Sequence, residues 1–347
     1  MAKKDIVVIG ASAGGMDALE KLVAGLPADL PAAVFIVWHL SPGVKSVLPA
    51  VLTRAGPLPA SHPKDGDPIR PGHIYVAPND CHMLLEKGYI RVARGPKENR
   101  FRPAIDPLFR SAAYIYGARA VGVVLSGALD DGTAGLWAIK LRGGTAIVQD
   151  PADAMHRSMP VNALDNVVVD HKLPVAGIGP LIGRLAREDA VAEPVLSAEE
   201  RERMGIEVRI AEGRDAREHN VLQFGELSPF TCPECHGVMT MIRDGSLLRF
   251  RCHTGHAFSA ATLLEGATEQ VEARLFDAVR ALDESIMLLN KLGEEYAARG
   301  DTASAEQCFD RAREAYERSR PIREAALANE EMTLDDVRVS KRAGGSP

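Results

Sequence analysis

The alternation of short β-branched runs with helical patterns over residues 5 to 190 constrains the fold more than any other feature of the sequence. The strand-like runs are DIVVIG, AAVFIVWH, GHIYVAP, AVGVVLSG, TAIVQD and NVVVD, and the helical ones are DALEKLVAGL, PLFRSAAYIYG and TAGLWAIKLR. HMLLEKGYIRVARG alternates around Lys87-Gly88 as an antiparallel hairpin would. Such alternation predicts βαβ units. We therefore predict that residues 1–190 form a doubly wound, mostly parallel, Rossmann-like three-layer α/β domain.

The remainder of the chain has a different organisation. Residues 191–228 are charged and irregular, which predicts a linker or an edge element with a capping box in SAEE. Residues 229–259 place two strand-like runs around an Asp-Gly turn, as a small β unit would. Residues 260–330 repeat apolar residues every three or four positions with a break at ARGD, which predicts an antiparallel helical hairpin. Its helices pack on each other or offer a dimer or docking surface. Residues 331–347 are predicted to be a flexible tail.

The charge and hydropathy of the sequence argue against nucleic-acid binding, secretion and membrane insertion. The net charge is −6 at pH 7 and the basic residues are scattered, whereas nucleic-acid binding favours a basic face. The apolar run near the N-terminus is too short for a signal peptide, and no run is long enough to span a membrane. We therefore expect a cytoplasmic protein without a nucleic-acid partner and without membrane insertion.

The Gly-rich turn in IVVIGASAGGMDALEKL admits two interpretations. After a buried strand it resembles the dinucleotide fingerprint, but Ser12 occupies the position of the second glycine and His39 stands where a ribose-binding carboxylate is expected. The same turn satisfies GxSxG, in which small neighbours let a strained turn expose a serine hydroxyl. The two departures favour a nucleophile over a phosphate site.

Three residue types needed for acyl transfer come at the ends of predicted parallel strands. Ser12 follows the first strand, His39 closes the second, and Asp130 and Asp131 follow the strand VGVVLSG. The carboxyl ends of such strands line one crevice, so these side chains can meet. An imidazole activates a hydroxyl and a carboxylate orients the imidazole. The pattern does not choose between the aspartates, and each residue could instead be a helix cap or a core residue.

Residues 5 to about 187 resemble the catalytic domain of the CheB-type chemotaxis methylesterases, or protein-glutamate methylesterases. The resemblance rests on six blocks in order: VVIGASAGG, WHLSP, DGDPIRPGHIYVAPNDCHM, NRFRPAIDPLF, VGVVLSGALDDGTAG and SMPVNAL. It implies a serine esterase that hydrolyses the γ-methyl ester of a receptor glutamate, releases methanol, and can deamidate receptor glutamine. It implies no cofactor for catalysis.

The resemblance also implies the site residues. By its motifs Ser12 is the nucleophile, His39 the base and Asp131, directly before glycine, the residue that orients His39. Ala13 and Ala128 replace the threonine and methionine common in the family, but their backbone amides can still bind an oxyanion, since that role does not depend on the side chain.

The resemblance implies a methylated chemoreceptor, or a receptor-like signalling protein, as the substrate. The N-terminal phospho-receiver of many relatives does not precede the catalytic blocks, so we expect a separate phospho-receiver or methyltransferase protein as a further partner. The alternative is a non-catalytic regulatory adaptor that keeps the fold and binds partners through its C-terminal tail.

A cluster of metal-ligand residues lies in the predicted small β unit. Cys232 and Cys235 form a CxxC, and Cys252 and His256 follow in CHTGH. Thiolates and an imidazole at this spacing suit a structural zinc ion, which a β unit with so small a core needs. His253 is the rival fourth ligand and a redox CxxC the rival function. We expect a zinc-ribbon-like unit that chelation would unfold without abolishing esterase chemistry.

Overall fold

The structure is a computed structural model that describes residues 2–39, 46–214, 216 and 221–329. It contains two compact units, Met1–Leu263 and Leu264–Pro347. The predicted tail 331–347 lies outside the described residues, and the finer boundaries predicted from the sequence stay predictions.

A seven-stranded parallel sheet forms the centre of the first unit. Its strand order is β3-β4-β2-β1-β7-β8-β9, so the chain first builds outward on one side of β1 and then returns to build on the other. This reversal places the topological switch point between β1 and β7, where ligands of open α/β sheets bind. The strands of the first 190 residues are β1 Ile6–Ala11, β2 Ala33–Trp38, β3 Ala60–Ser61, β4 Ile74–Val76, β5 His82–Glu86, β6 Tyr89–Ala93, β7 Ala120–Val124, β8 Thr145–Gln149 and β9 His171–Leu173.

Helices cover both faces of this sheet, as the alternation predicts. One buried cluster joins the sheet to α1, α2 and α6, and another joins the opposite face to α3, α4 and α5. Strand residues alternate between the two clusters, with Val7 in one and Val8 in the other. The helices are α1 Gly15–Ala24, α2 Leu48–Ala55, α3 Ile105–Tyr116, α4 Thr133–Leu141, α5 Ser158–Asn166, α6 Val175–Leu185 and α7 Ala198–Ala211.

Two predicted elements of the first unit need correction. NVVVD is not a strand: α5 ends at Asn166, Val168 is 82% exposed, and the edge strand that pairs with β8 begins at His171. Residues 191–228 are more than a linker, because α7 buries Met204 and Ile210. The predicted capping box at the start of α7 and the β5–β6 antiparallel hairpin are confirmed.

The predicted small β unit is larger than its two strands. The strands around the Asp-Gly turn are β11 and β12, and one further strand pairs on each side to give an antiparallel sheet β10-β11-β12-β13. A parallel bridge between Glu98 and Ala257 ties β13 to the chain before α3. The strands are β10 Glu226–Thr231, β11 Val238–Asp244, β12 Leu247–Cys252 and β13 Ala257–Ser259.

Two long helices follow the small sheet: α8 Ala260–Ala298 and α9 Thr302–Leu327. Within the second unit they run antiparallel, as predicted. Arg323 of α9 contacts Asp283 of α8 at 2.8 Å, and Phe309 lies against Gly293 nearer the turn. Among the described residues, no helix is both long and apolar enough to cross a membrane.

Candidate active site

Ser12 lies in the turn between β1 and α1, at the switch point of the sheet. Its amide donates to the carbonyl of Ser126 at 3.0 Å, and the indole N–H of Trp38 donates to the Ser12 carbonyl at 2.9 Å. Gly127 lies directly against it: a Cβ there would stand 3.0 Å from the Ser12 Cβ and 1.9 Å from the sulfur of Met159. The backbone of the turn is therefore held by hydrogen bonds from two sides, and a side chain at position 127 would require Met159 to move.

His39 connects Ser12 to Asp131. Its Nδ1 lies 3.0 Å from the Ser12 Oγ, and its Nε2 lies 2.8 Å from the Asp131 Oδ2. A carboxylate only accepts hydrogen bonds, so we assign the ring proton to Nε2, which leaves the lone pair of Nδ1 facing the serine hydroxyl. His39 and Asp131 have side chains only 4% and 2% exposed, so bulk water competes little for this pair. The arrangement allows a proton to pass from Ser12 to His39.

Several donors surround the Asp131 carboxylate. The amide of Ile105 donates to Oδ2 at 2.7 Å, while the amide of Gly132 and the Asn99 side chain donate to Oδ1 at 3.0 and 2.9 Å. Burial by itself raises the pKa of Asp131, but these donors and His39 outweigh it, and the pKa is lowered. Asp131 is therefore a buried anion.

A second buried carboxyl, Asp106, lies beside this anion. It accepts hydrogen bonds from the Asn99 side chain at 3.0 Å and from the Gly135 amide at 2.6 Å. Burial and then the charge of Asp131 raise the pKa of Asp106 to about 8. Asp106 is thus mostly neutral at pH 7, and the negative charge of the pair concentrates on Asp131, next to His39.

The structure separates the two aspartates that the sequence pattern could not. Asp131 faces His39, whereas Asp130 accepts a hydrogen bond from the Ser259 hydroxyl at 2.6 Å. Asp131 therefore lies within hydrogen-bonding distance of His39.

Besides Asp106, two further residues at the site escaped the sequence analysis. The Phe101 ring stacks on His39 with centroids 3.7 Å apart and an interplanar angle of 9°. The Asn99 side chain joins Asp131 to Asp106. Both lie in NRFRPAIDPLF, which carried the resemblance but has no regular periodicity. The resemblance of this block to the family was the only sequence signal for these two residues, and it did not indicate what they do.

Backbone amides near Ser12 differ in whether they can serve an oxyanion. The amides of Ser12 and Gly127 are already bonded, to the carbonyls of Ser126 and His156 at 3.0 Å each. They are therefore poor candidates, and the assignment of the Ala13 and Ala128 amides, which the resemblance implied, stays a prediction.

The four predicted metal ligands come together at one end of the small β sheet. Their ligand atoms all lie within 4.8 Å of one another, and those of Cys252 lie 3.7 Å from both the Cys235 sulfur and the His256 Nδ1. Ligands at about 2.3 Å from a tetrahedral zinc are about 3.8 Å apart, so the spacing suits that ion. The rival ligand His253 lies instead against Gly237.

Comparison with known proteins agrees with this fold. The family model for CheB methylesterase matches residues 7–182. Protein-glutamate methylesterase/protein-glutamine glutaminase 2 of Anaeromyxobacter dehalogenans is 39% identical over 186 residues, which is 54% of this chain and 54% of that protein. The protein of the same name from Caulobacter vibrioides is 38% identical over 191 residues, covering 54% of this chain and 55% of the relative.

A solved structure is similar over the same region. The crystal structure of the Thermotoga maritima CheB methylesterase catalytic domain superimposes with a TM-score of 0.51 and 32% identity, covering 53% of this chain and 99% of that one. The chain spans about half the length of the curated relatives it matches. By its family match and its similar sheet, this chain belongs to the CheB methylesterase family.

Proposed function

We propose that this chain is a serine esterase that hydrolyses the γ-methyl ester of glutamate in methylated chemoreceptor-like signalling proteins. The observation that carries the proposal is the continuous hydrogen-bonded series from Ser12 through His39 to the buried carboxylate of Asp131. The names of the relatives support the substrate class, since they are protein-glutamate methylesterases and protein-glutamine glutaminases.

The reaction follows from this geometry. Ser12 Oγ attacks the ester carbonyl while its proton passes to Nδ1 of His39, and Asp131 stabilises the resulting imidazolium. The amides of Ala13 and Ala128 donate to the oxyanion of the tetrahedral intermediate. The intermediate collapses as His39 returns the proton to the leaving methoxide, which releases methanol and leaves a glutamyl ester on Ser12. Water, activated by His39, then frees glutamate. Deamidation of glutamine takes the same route with ammonia as the leaving group.

The measurement that tests the proposal is methanol release from methylated receptor membranes. We expect release by the wild type, none above background with Ser12→Ala, and wild-type release with Ser285→Ala, a matched change at an exposed serine of α8. Release that persists with Ser12→Ala would remove Ser12 as the nucleophile. If the folded wild type releases no methanol, the alternative of a non-catalytic adaptor is favoured.

We also propose a structural zinc ion held by Cys232, Cys235, Cys252 and His256, with no cofactor in the catalytic step. The support is the mutual spacing of these ligands and their chemistry, because three thiols and an imidazole are a common ligand set for structural zinc. The proposed partners are the methylated receptor and a separate phospho-receiver or methyltransferase protein. The cytoplasmic location stays a prediction from the sequence.

A further inference from the structure

The side chain of Asn99 lies between two carboxyl groups of the active site. Its Nδ2 donates to Asp131 Oδ1 at 2.9 Å and to Asp106 Oδ2 at 3.0 Å, and the residue is only 4% exposed. The backbone has a φ of 49°, a left-handed conformation that asparagine tolerates better than most residues. Both donor hydrogens of the amide are thereby used within the site.

The carbonyl end of the same side chain is held by residues much later in the chain. Asn99 Oδ1 accepts from the Ser259 amide at 2.9 Å and from the Thr262 hydroxyl at 3.2 Å. Ser259 and Thr262 also cap the first turn of α8 reciprocally: Thr262 N donates to Ser259 Oγ at 3.1 Å, and the Ser259 amide hydrogen is shared between Asn99 Oδ1 and Thr262 Oγ1, the latter at 2.9 Å. The Asn99 backbone amide donates to the Ala257 carbonyl at 2.8 Å.

These contacts fix the orientation of the amide. An asparagine side chain offers two donor hydrogens and two acceptor lone pairs, and all four have partners here. Turning the amide by 180° would point its oxygen at Asp131 and Asp106 and its nitrogen at the donors of Ser259 and Thr262. The Asp131 carboxylate and the donors at the start of α8 therefore favour the same orientation, with the amide nitrogen toward Asp131.

We propose that Asn99 is a positioning residue that holds the Asp131 carboxylate toward His39, and that the first turn of α8 holds Asn99 in that orientation. The inference rests on the proposed esterase function. It goes beyond the family match, which ends at residue 182, whereas Ser259 and Thr262 lie well after it. The C-terminal part of the first unit thus completes the active site.

The variants that test this are Thr262→Val, which removes the hydroxyl while keeping the shape, and Thr262→Ser, which restores it. Asn99→Gly removes the side chain and tolerates the positive φ. We expect kcat for methanol release from methylated receptor membranes to fall about 10- to 100-fold in Asn99→Gly, because a hydrogen bond to a charged group is lost. Thr262→Val should change kcat in the same direction by less, Thr262→Ser should recover it, and KM should stay unchanged in all three.

A second readout needs no turnover: the titration of the Asp131 carboxyl carbon followed by NMR, assigned with Asp131→Asn. The titratable or charged groups around this carboxyl are His39, Asp106 and His82, with Arg110 behind Asp106. The two Thr262 variants change no contact of these groups, whereas Asn99→Gly also removes a donor from Asp106. Losing the Asn99 donor should raise the pKa of Asp131. If Thr262 has only a structural role, its substitution should leave the pKa of Asp131 unchanged.

The outcomes distinguish a failure of the positioning role from a failure of the proposed esterase function. If the pKa of Asp131 rises in Thr262→Val and returns to its wild-type value in Thr262→Ser, the positioning role is supported. If no receptor is hydrolysed in that case, only the proposed function fails. An active wild type matched by Thr262→Val in kcat and in the pKa of Asp131 would overturn the anchoring of Asn99 by α8, and one matched by Asn99→Gly as well would overturn the positioning role. If Asn99→Gly does not fold, the Thr262 pair decides.

Discussion

At the scale of single residues, the two adjacent aspartates give the sharpest test of the active site. Asp131→Asn should lower kcat by a factor of about 10⁴, the effect of the same change in other triad enzymes, because the amide no longer holds the imidazole tautomer. Asp130→Asn should change kcat only slightly, since an amide oxygen can still accept from Ser259. Methanol release measures both. Equal losses in the two variants would contradict the assignment.

The ring of Phe101 supports His39 on one face. Phe101→Ala removes a stacked contact worth about 0.5–1.5 kcal/mol, so we expect kcat to fall about 2- to 10-fold. Phe101→Tyr, which keeps the stacking ring, is the matched control and should retain most of the activity. A Phe101→Ala variant with wild-type kcat but a raised KM would show instead that the ring contacts substrate.

Three residues of this site could be predicted to lie close together from the sequence alone. Ser12, His39 and Asp131 follow parallel strands, whose carboxyl ends meet at one edge of the sheet. The pattern could not choose between Asp130 and Asp131, because adjacent residues in a loop have no periodicity that fixes their direction. Asn99 was missed because its environment depends on Ser259, which is 160 positions away. The catalytic roles themselves stay predictions.

At the scale of elements, the small β sheet should depend on its metal. Its buried cluster is small and includes the thiol ligands themselves, so little apolar packing holds it. We expect about one zinc ion per purified chain, lost in Cys252→Ser and kept in Cys308→Ser, which changes a cysteine outside the cluster. Metal analysis measures this. A wild-type chain purified without zinc would contradict the prediction.

Removing the metal should also lower esterase activity, an effect beyond the sequence-based expectation that chelation would not abolish it. β13 begins directly after His256, and its Ser259 amide binds Asn99. We therefore expect chelation to lower kcat, with a matching change in the Asp131 titration, and added zinc to restore both. Unchanged activity in a metal-free chain would show that the first turn of α8 keeps its place without the ion.

The elements themselves were predictable where burial matched the pattern. The βαβ alternation and the β5–β6 hairpin were read correctly because each apolar periodicity corresponds to a buried face. NVVVD was read wrongly because a β-branched run predicts a strand even where its side chains are exposed, as Val168 is. The buried side of α7 was missed because its charged residues include Glu207, which is buried with ionic partners.

At the scale of the whole first unit, a buried ionic cluster joins the family-matched domain to the small β sheet. Glu98 contacts Arg110 at 3.0 Å and Arg251 at 2.9 Å, and Glu207 contacts Arg249 at 2.9 Å. Asp244 also pairs with Arg249, so three carboxylates face the three guanidinium groups in this cluster, which is nearly closed to solvent. Removing one member leaves the others without a counter-charge.

Glu98→Gln should therefore lower the free energy of unfolding at pH 7 by about 3–5 kcal/mol, the usual effect of breaking a buried ion pair. Glu188→Gln, which disrupts an exposed pair with Lys4, should change it by less than about 1 kcal/mol. Urea unfolding measures both. Similar small effects would show that water reaches the cluster.

The same variant has a defined pH dependence. Burial raises the pKa of Glu98, but Arg110 and Arg251 outweigh it and lower the pKa from 4.5 to about 2. A depressed carboxyl pKa contributes stability above its unfolded value and loses it as the pH falls toward the folded value. The difference in stability between wild type and Glu98→Gln should thus be constant from pH 7 to about 5 and shrink below that. A constant difference down to pH 3 would contradict the lowered pKa of Glu98.

The ionic cluster also bears on how this chain can be divided or recombined. A protein engineer who cut it near residue 190, where the family match has ended, would strip Arg251 and Glu207 from Arg110 and Glu98. The shortened protein would expose unpaired charges and leave Asn99 without its anchor. A chimaera that exchanges the catalytic domain between this chain and a relative would therefore have to include the arginines of β12 and the start of α8 in the same exchanged segment.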